Sequence, residues 1–177
     1  NPAVVAAHQA TKESLTALLG GLRTISDTTL EQCKELYLAQ RTAAPTSTMA
    51  QAVRFLFLIG SGVNGIWRES AKSGYNVPFG KRYTLSPAAQ ERITQCSRVL
   101  NQAPTTLTAC DFVDTLAQAR EGDLVYTDPP FYKSAFRYVS TWGAKEHQRL
   151  ALHAKEAHHR GASVFISNTD CPETRLT

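Results

Sequence analysis

Cysteine is scarce in this chain of 177 residues, and no two cysteines form a CxxC pair. Cys33, Cys96, Cys110 and Cys171 are widely scattered, which argues against a disulfide framework or a thiolate zinc site and for a reducing cytoplasm. Long apolar runs are lacking too. The longest, Phe55 to Ile59, falls far short of a membrane span, so no membrane partner is expected. No secretory leader is legible at a start that carries Asn1 in place of methionine. Acidic residues are missing from Ser70 to Gln90, a stretch that holds Lys72, Lys81 and Arg82. The whole chain carries a formal charge of +4 and an isoelectric point near 9.0, which suits a nucleic-acid partner without demanding one.

The length fits one domain with a proper core, or a core plus a smaller lobe. Val4, Val5, Leu15, Leu18 and Leu19 recur at helical spacing, and Gly20-Gly21 is expected to end that first helix. Asp27 is a candidate cap for a second helix carrying Leu30, Cys33, Leu36 and Tyr37. A Pro/Thr/Ser loop at 43 to 48 precedes a third apolar helix from Met49 to Ile59. This half reads as packing. From Gly60 to Arg82 the chain turns irregular, with five glycines among Asn64, Trp67, Arg68, Tyr75, Asn76 and Pro78. Ser86-Pro87 is a good cap and first-turn pair for a helix through Leu100. Beyond it the spacing predicts a strand at Thr105 to Ala109, a helix at Phe112 to Arg120 and a buried strand at Leu124 to Thr127. A helix at Lys145 to Arg160 and a second buried strand at Ser163 to Ser167 follow. Such alternation implies a parallel sheet, with ligands at the carboxyl ends of its strands.

Two sequences fall at those ends, Asp128-Pro129-Pro130-Phe131 and Ser167-Asn168-Thr169-Asp170. Asp-Pro-Pro can be a plain rigid turn, since two prolines fix φ and remove two donors. Directly after an apolar strand it also suits the methylation of an exocyclic amine. The lone pair of such a nitrogen is delocalised into the ring and is a poor nucleophile. The Asp128 carboxylate and the Pro129 carbonyl are both acceptors, able to take the two amino hydrogens from a preorganised position. Phe131 can stack on the base, which must leave a duplex to reach this pocket.

These residues, with several others, resemble the Dam-like class of DNA N6-adenine methyltransferases, whose signature is Asp-Pro-Pro-Tyr after a strand. Val63-Asn64-Gly65, Arg68 and Tyr75-Asn76-Val77-Pro78-Phe79-Gly80 look like that family's DNA-recognition hairpin. Asp111-Phe112 looks like the acidic-aromatic pair that holds the cofactor's adenine, and Ile166 to Asp170 like the strand end after the catalytic loop. Asn1-Pro2 is similar to the tail of an Asp-x-Asn-Pro segment. Phe131 departs from the usual Tyr, keeping the ring without its hydroxyl.

The resemblance implies a partial Rossmann-like α/β core for S-adenosylmethionine, joined to a mostly helical target-recognition lobe. Residues 1–11 would be the remnant of the cofactor-binding half, 12–104 the lobe with its hairpin at 60–82, and 105–177 the catalytic portion. Asp128, Pro129, Pro130 and Phe131 would be catalytic; Asp111, Phe112 and Asp128 would bind the cofactor; Asn64, Ile66, Arg68, Asn76, Pro78 and Lys81 would meet DNA. The implied reaction is direct methyl transfer to a flipped adenine in duplex DNA, without metal or covalent enzyme intermediate, in a prokaryotic or phage setting. The family's Trp-x-Gly-Gly-Lys segment and Phe-x-Gly-x-Gly loop do not occur here. The chain therefore reads as a methyltransferase cut at both ends, and alone it is expected to bind S-adenosylmethionine weakly or not at all and to methylate nothing.

Rival readings compete with parts of this one. Gly60-Ser61-Gly62-Val63-Asn64-Gly65 formally matches GxGxxG, but a dinucleotide loop needs a strand before it and an acidic residue about 20 positions on. His147, His153, His158 and His159 read as a solvated helix face, and Arg68, Lys72, Lys81 and Arg82 can be plain surface charge. At the level of function the alternatives are a remnant that binds DNA without catalysis, and a methyltransferase of RNA or free adenine.

Overall fold

The helical half follows from its caps. In the computed structural model, which describes residues 1–70, 74–132, 142–170 and 174–175, helix α1 (Pro2–Glu13) opens with the Asn1 side chain accepting from Ala3 N at 3.0 Å. Pro2 occupies the first turn, where its missing N–H costs nothing. Ala6, Ala7 and Ala10 are buried, and this small-residue face lets α1 pack closely on α4 (Thr48–Ser61) and α5 (Pro87–Gln102). Lys72 and Cys171 lie outside the described residues.

The stop expected at Gly20-Gly21 is not there. The chain breaks earlier, at Ser14, and α2 (Leu15–Ser26) runs through both glycines. Leu18, Leu22 and Ile25 form its buried stripe. A Cβ on Gly21 would stand 3.1 Å from Val53 Cγ2 on α4, so close approach of the two helices outweighs glycine's helix cost of roughly 1 kcal/mol. Asp27 closes α2 and does not cap α3 (Leu30–Thr42). That cap is Thr29, in a capping box with Gln32. The caps expected for α5 are present: Ala89 N donates to Ser86 Oγ at 3.2 Å, with Pro87 at the first position.

These helices belong to a compact unit, Asn1–Ala109, around a core of Leu18, Leu22, Cys33, Tyr37, Ala52, Phe57 and Leu58. The boundary expected after residue 11 thus falls inside α1. Strands β1 (Glu69–Ser70) and β2 (Gly74–Tyr75) pair antiparallel in the same unit, Glu69 opposite Tyr75. The strand expected at Thr105 to Ala109 does not form. Among the described residues no strand pairs with it. Its carbonyls are taken by α1 side chains instead, Thr105 O by Lys12 Nζ at 2.6 Å and Leu107 O by Gln9 Nε2 at 3.3 Å.

The second unit, Cys110–Thr177, contains α6 (Phe112–Gln118), β3 (Leu124–Thr127), α7 (Ala144–His159) and β4 (Ser163–Ile166). Strands β3 and β4 run parallel, from Leu124 opposite Ser163 to Thr127 opposite Ile166, as the strand–helix–strand pattern predicts. Val125, Val164 and Ile166 pack on a core of Leu116, Ala119, Leu150, Ala157 and Ala162. The expectation that both strands are buried needs correction. Leu124 is 71% exposed, Tyr126 65% and Phe165 55%, because the packing of this unit's core takes up alternate residues of each strand. The fold is a mixed one of helices and small sheets. Among the described residues no helix is long and apolar enough to cross a membrane.

Candidate functional site

The hairpin is built on three tyrosines. Tyr37 Oη donates to Val77 O or Pro78 O at 3.0 and 3.2 Å, and Tyr75 Oη to Leu58 O or Ile66 O at 3.2 and 3.3 Å. Burial first, then its hydrogen bond with Tyr37, pushes the Tyr75 phenol above its usual range, and burial pushes Tyr83 up to about 12. Gly60 and Gly62 make room for these rings. A Cβ on Gly60 would stand 2.6 Å from the Tyr83 ring, and one on Gly62 would stand 2.8 Å from both Leu58 O and Tyr75 Oη. A helix, α4, precedes this GxGxxG run where a dinucleotide loop needs a strand. Asn64 and Gly65 follow at φ 59° and 62°, left-handed positions that Asn and Gly tolerate best.

From Tyr75 to Phe79 more and less buried side chains alternate. Tyr75 and Val77 are buried, and Trp67 and Phe79 pack on the same core. Asn64, Ile66, Arg68 and Pro78 are exposed and Asn76 is half-buried. Lys81, further on, is exposed as well. The expected DNA-facing residues are thus exposed, apart from the half-buried Asn76, and Arg68 Nε donates to Asn76 Oδ1 at 2.7 Å. Arg82 is otherwise engaged: its Nη1 donates to Ser26 O and Thr28 O at 3.1 and 3.0 Å, closing the end of α2.

In the second unit Asp128 leaves β3 at its carboxyl end, exposed, with no hydrogen bond or ion pair among the described residues. Pro129 is buried and Phe131 is 45% exposed. Asp128, Pro129 and Pro130 line a cleft of about 360 Å³ together with Phe112, Val125, Trp142 and others. A larger groove of about 880 Å³ runs along α7 and β4 but contains neither Asp128 nor Asp111. Next to the loop, Asn168 Oδ1 accepts from Tyr132 N at 2.9 Å and Thr169 N at 2.8 Å. The loop after β3 is thereby tied to the end of β4.

Asp111 caps α6, its Oδ1 accepting from Val113 N at 2.9 Å. The same oxygen accepts from Arg149 Nη2 at 2.8 Å. The Val113 N–H above all, and Arg149 with it, hold the Asp111 carboxyl below the usual carboxylate range. Arg149 also donates to Glu146 Oε2 at 3.1 Å and lies 4.8 Å from the centre of the Phe112 ring. Among the described residues the other carboxylate oxygen has no partner, and it stands next to an aromatic ring that lines the cleft, an acceptor and a stacking face that fit an adenine.

His147 departs from the solvated face expected of the α7 histidines. It is half-buried, accepts from Trp142 Nε1 on Nε2 at 3.1 Å, and meets Tyr132 edge-on at 5.2 Å. Burial lowers its pKa, and an indole N–H can only donate, so the ring is neutral at this nitrogen. The signal was present in the sequence: His147 lies three residues before Leu150 and so shares the stripe of Leu150, Ala154 and Ala157. His158 and His159 are exposed as expected, and His153 pairs with Glu156 at 2.8 Å. Arg149 and Trp142 carried no such signal; only packing brings them to Phe112.

A family model described as D12 class N6 adenine-specific DNA methyltransferase matches residues 1–177. A type II methyltransferase of Lactococcus lactis subsp. cremoris is 28% identical over 154 residues, covering 80% of this chain and 54% of that protein. A DNA adenine methylase of Vibrio cholerae is 30% identical over 151 residues, covering 80% of this chain and 53% of that protein. The chain spans about half the length of these relatives. By the match along its whole length, this chain belongs to the D12 class of N6 adenine-specific DNA methyltransferases.

Proposed function

We propose that the protein carrying this chain methylates adenine N6 in duplex DNA, with S-adenosylmethionine as donor. The observation that carries this reading is the Asp128-Pro129-Pro130-Phe131 loop at the carboxyl end of β3, opening on the cleft that Phe112 and Trp142 also line. Asp128 and the Pro129 carbonyl accept the two hydrogens of the amine and free its lone pair from the ring. The prolines keep that carbonyl in one direction. Phe131 stacks on the flipped base. S-adenosylmethionine, when bound, supplies an electrophilic methyl group. Asp111 and Phe112 hold its adenine, and Asp128 borders both ligands.

The outward side of the hairpin meets the duplex. Arg68 and Lys81 neutralise phosphates or, for Arg68 and Asn64, read base edges, while Ile66, Asn76 and Pro78 shape the contact. The β3–α7–β4 unit fits one corner of a Rossmann-like sheet, with residues 105–177 catalytic, 12–104 a recognition lobe, and 1–11 the end of a cofactor-binding half. Acting on DNA of a prokaryote or its phage, the protein works in the cytoplasm. The test is Asp128→Ala in the full-length protein. Methyl transfer should fall on the order of a hundredfold or more, with DNA affinity unchanged because the carboxylate acts on the amine and not on phosphate. Near-normal turnover would overturn the reading.

A further inference from the structure

We propose that Arg149 is a positioning residue that makes the cofactor subsite selective for a 6-amino purine; this rests on the reading that Asp111 and Phe112 hold the cofactor's adenine. Two donors converge on one oxygen of Asp111, the Val113 N–H at 2.9 Å and Arg149 Nη2 at 2.8 Å. Its other oxygen, Oδ2, has no partner among the described residues. A carboxylate held by one donor can swing about its last bond and offer either oxygen. Held by two from different elements, it offers Oδ2 in a fixed direction. An ionised carboxylate only accepts, so Oδ2 selects an N–H donor and repels a carbonyl.

Arg149 can do this because it is itself fixed. Its second nitrogen donates to Glu146 Oε2 at 3.1 Å, and its guanidinium carbon lies 4.8 Å from the Phe112 ring centre. A planar fork with partners in three directions is something a lysine ammonium cannot reproduce. Phe112 lines the cleft, with Asp111 next to it in the chain at the start of α6, and neither Asp111 nor Arg149 is part of the lining. The guanidinium thus holds together the carboxylate at the edge of the cleft and the ring that lines it, the two groups an adenine needs. A site built around one such hydrogen bond discriminates strongly against an analogue that lacks the donor.

The experiment is calorimetric titration of the full-length protein with S-adenosylhomocysteine and with S-inosylhomocysteine, which carries a 6-oxo group in place of the amine. Wild-type protein should prefer the adenosyl ligand on the order of a hundredfold. Arg149→Ala should cut that preference by about tenfold while leaving the melting temperature near wild type, as expected for an exposed ion pair. Arg149→Lys should restore only part of it. Glu146→Gln, which loosens the fork without removing it, should move the preference the same way by less, and serves if Arg149→Ala does not fold. Equal weakening of both ligands by Arg149→Ala, or no change in either, overturns the proposal. Asp111→Asn separates the two layers. If it leaves the wild-type preference intact, the reading of Asp111 itself fails. If it erases the preference while Arg149→Ala does not, only the role of Arg149 falls.

Discussion

Tyr132 and Asn168 lie 36 residues apart and are joined by a 2.9 Å hydrogen bond from the Tyr132 N–H to Asn168 Oδ1. That bond closes the Asp128 to Phe131 loop at its far end, as β3 closes it at its near end. The same oxygen accepts from Thr169 N, so a single side chain organises the turns after both strands.

Asn168→Ala should therefore act on rate before binding. Two N–H groups lose their acceptor at a cost of about 1–3 kcal/mol, and the loop carrying Asp128 is released. Single-turnover methyl transfer should slow on the order of tenfold or more, with DNA affinity unchanged. Asn168→Asp keeps the accepting oxygen and should recover most of the rate.

Phe131 offers a ring where the family has a tyrosine, and it is 45% exposed. Phe131→Ala should weaken capture of the flipped base by about 1–3 kcal/mol, seen as reduced fluorescence of 2-aminopurine at the target position. Phe131→Tyr should be tolerated, since stacking survives. A loss of flipping in Phe131→Tyr equal to that in Phe131→Ala would count against stacking as the role of this ring.

On the hairpin, Lys81→Ala should lower duplex affinity and reduce the slope of log affinity against log salt by about 1, the signature of one lost phosphate contact. Arg68 is held by Asn76, with Nε to Oδ1 at 2.7 Å and Nη2 to the carbonyl at 3.3 Å. Arg68→Ala and Asn76→Ala should thus be non-additive, coupled by 0.5 kcal/mol or roughly more. Anisotropy titrations at several salt concentrations, with the double variant included, measure both effects.

Gly62→Ala should destabilise the helical unit by about 1–3 kcal/mol, because the added carbon meets the backbone carbonyl of Leu58 and the Tyr75 hydroxyl at 2.8 Å. Tyr37→Phe should cost less, about 1 kcal/mol, through loss of the bonds to Val77 O and Pro78 O. Urea unfolding followed by circular dichroism ranks the two, and the reverse order would contradict this packing account.

His147 provides the pH dependence. Its folded pKa is lowered below the usual 6.5 by burial, so the neutral form is the one the fold favours. Its contribution to stability is complete above pH 6.5 and is lost as pH falls from there through the lowered folded value. Thermal unfolding of the full-length protein between pH 7.5 and 5 should show this decline, and His147→Gln should flatten it.

Spacing and caps were enough to locate α5, α6, α7 and the two parallel strands, because both are local properties. The same is true of the Asp-Pro-Pro-Phe loop, whose place after an apolar strand is written in consecutive residues. Local rules failed where a neighbour decided the outcome. Gly20 and Gly21 read as a stop, yet Gly21 lets α2 lie against Val53 and the helix continues. Thr105 to Ala109 reads as a strand, yet a strand needs a partner, and Lys12 and Gln9 take its carbonyls instead. Gly60 to Arg82 reads as an irregular run, and which of its side chains are buried depended on partners far away in the chain, Tyr37 on α3 and Leu58 on α4. The convergence of Arg149, Asp111 and Phe112, and of Asn168 with Tyr132, was decided by tertiary structure alone. Those residues come from separate elements, and only the packing of α6, α7 and the strand ends sets the distances on which their hydrogen bonds depend.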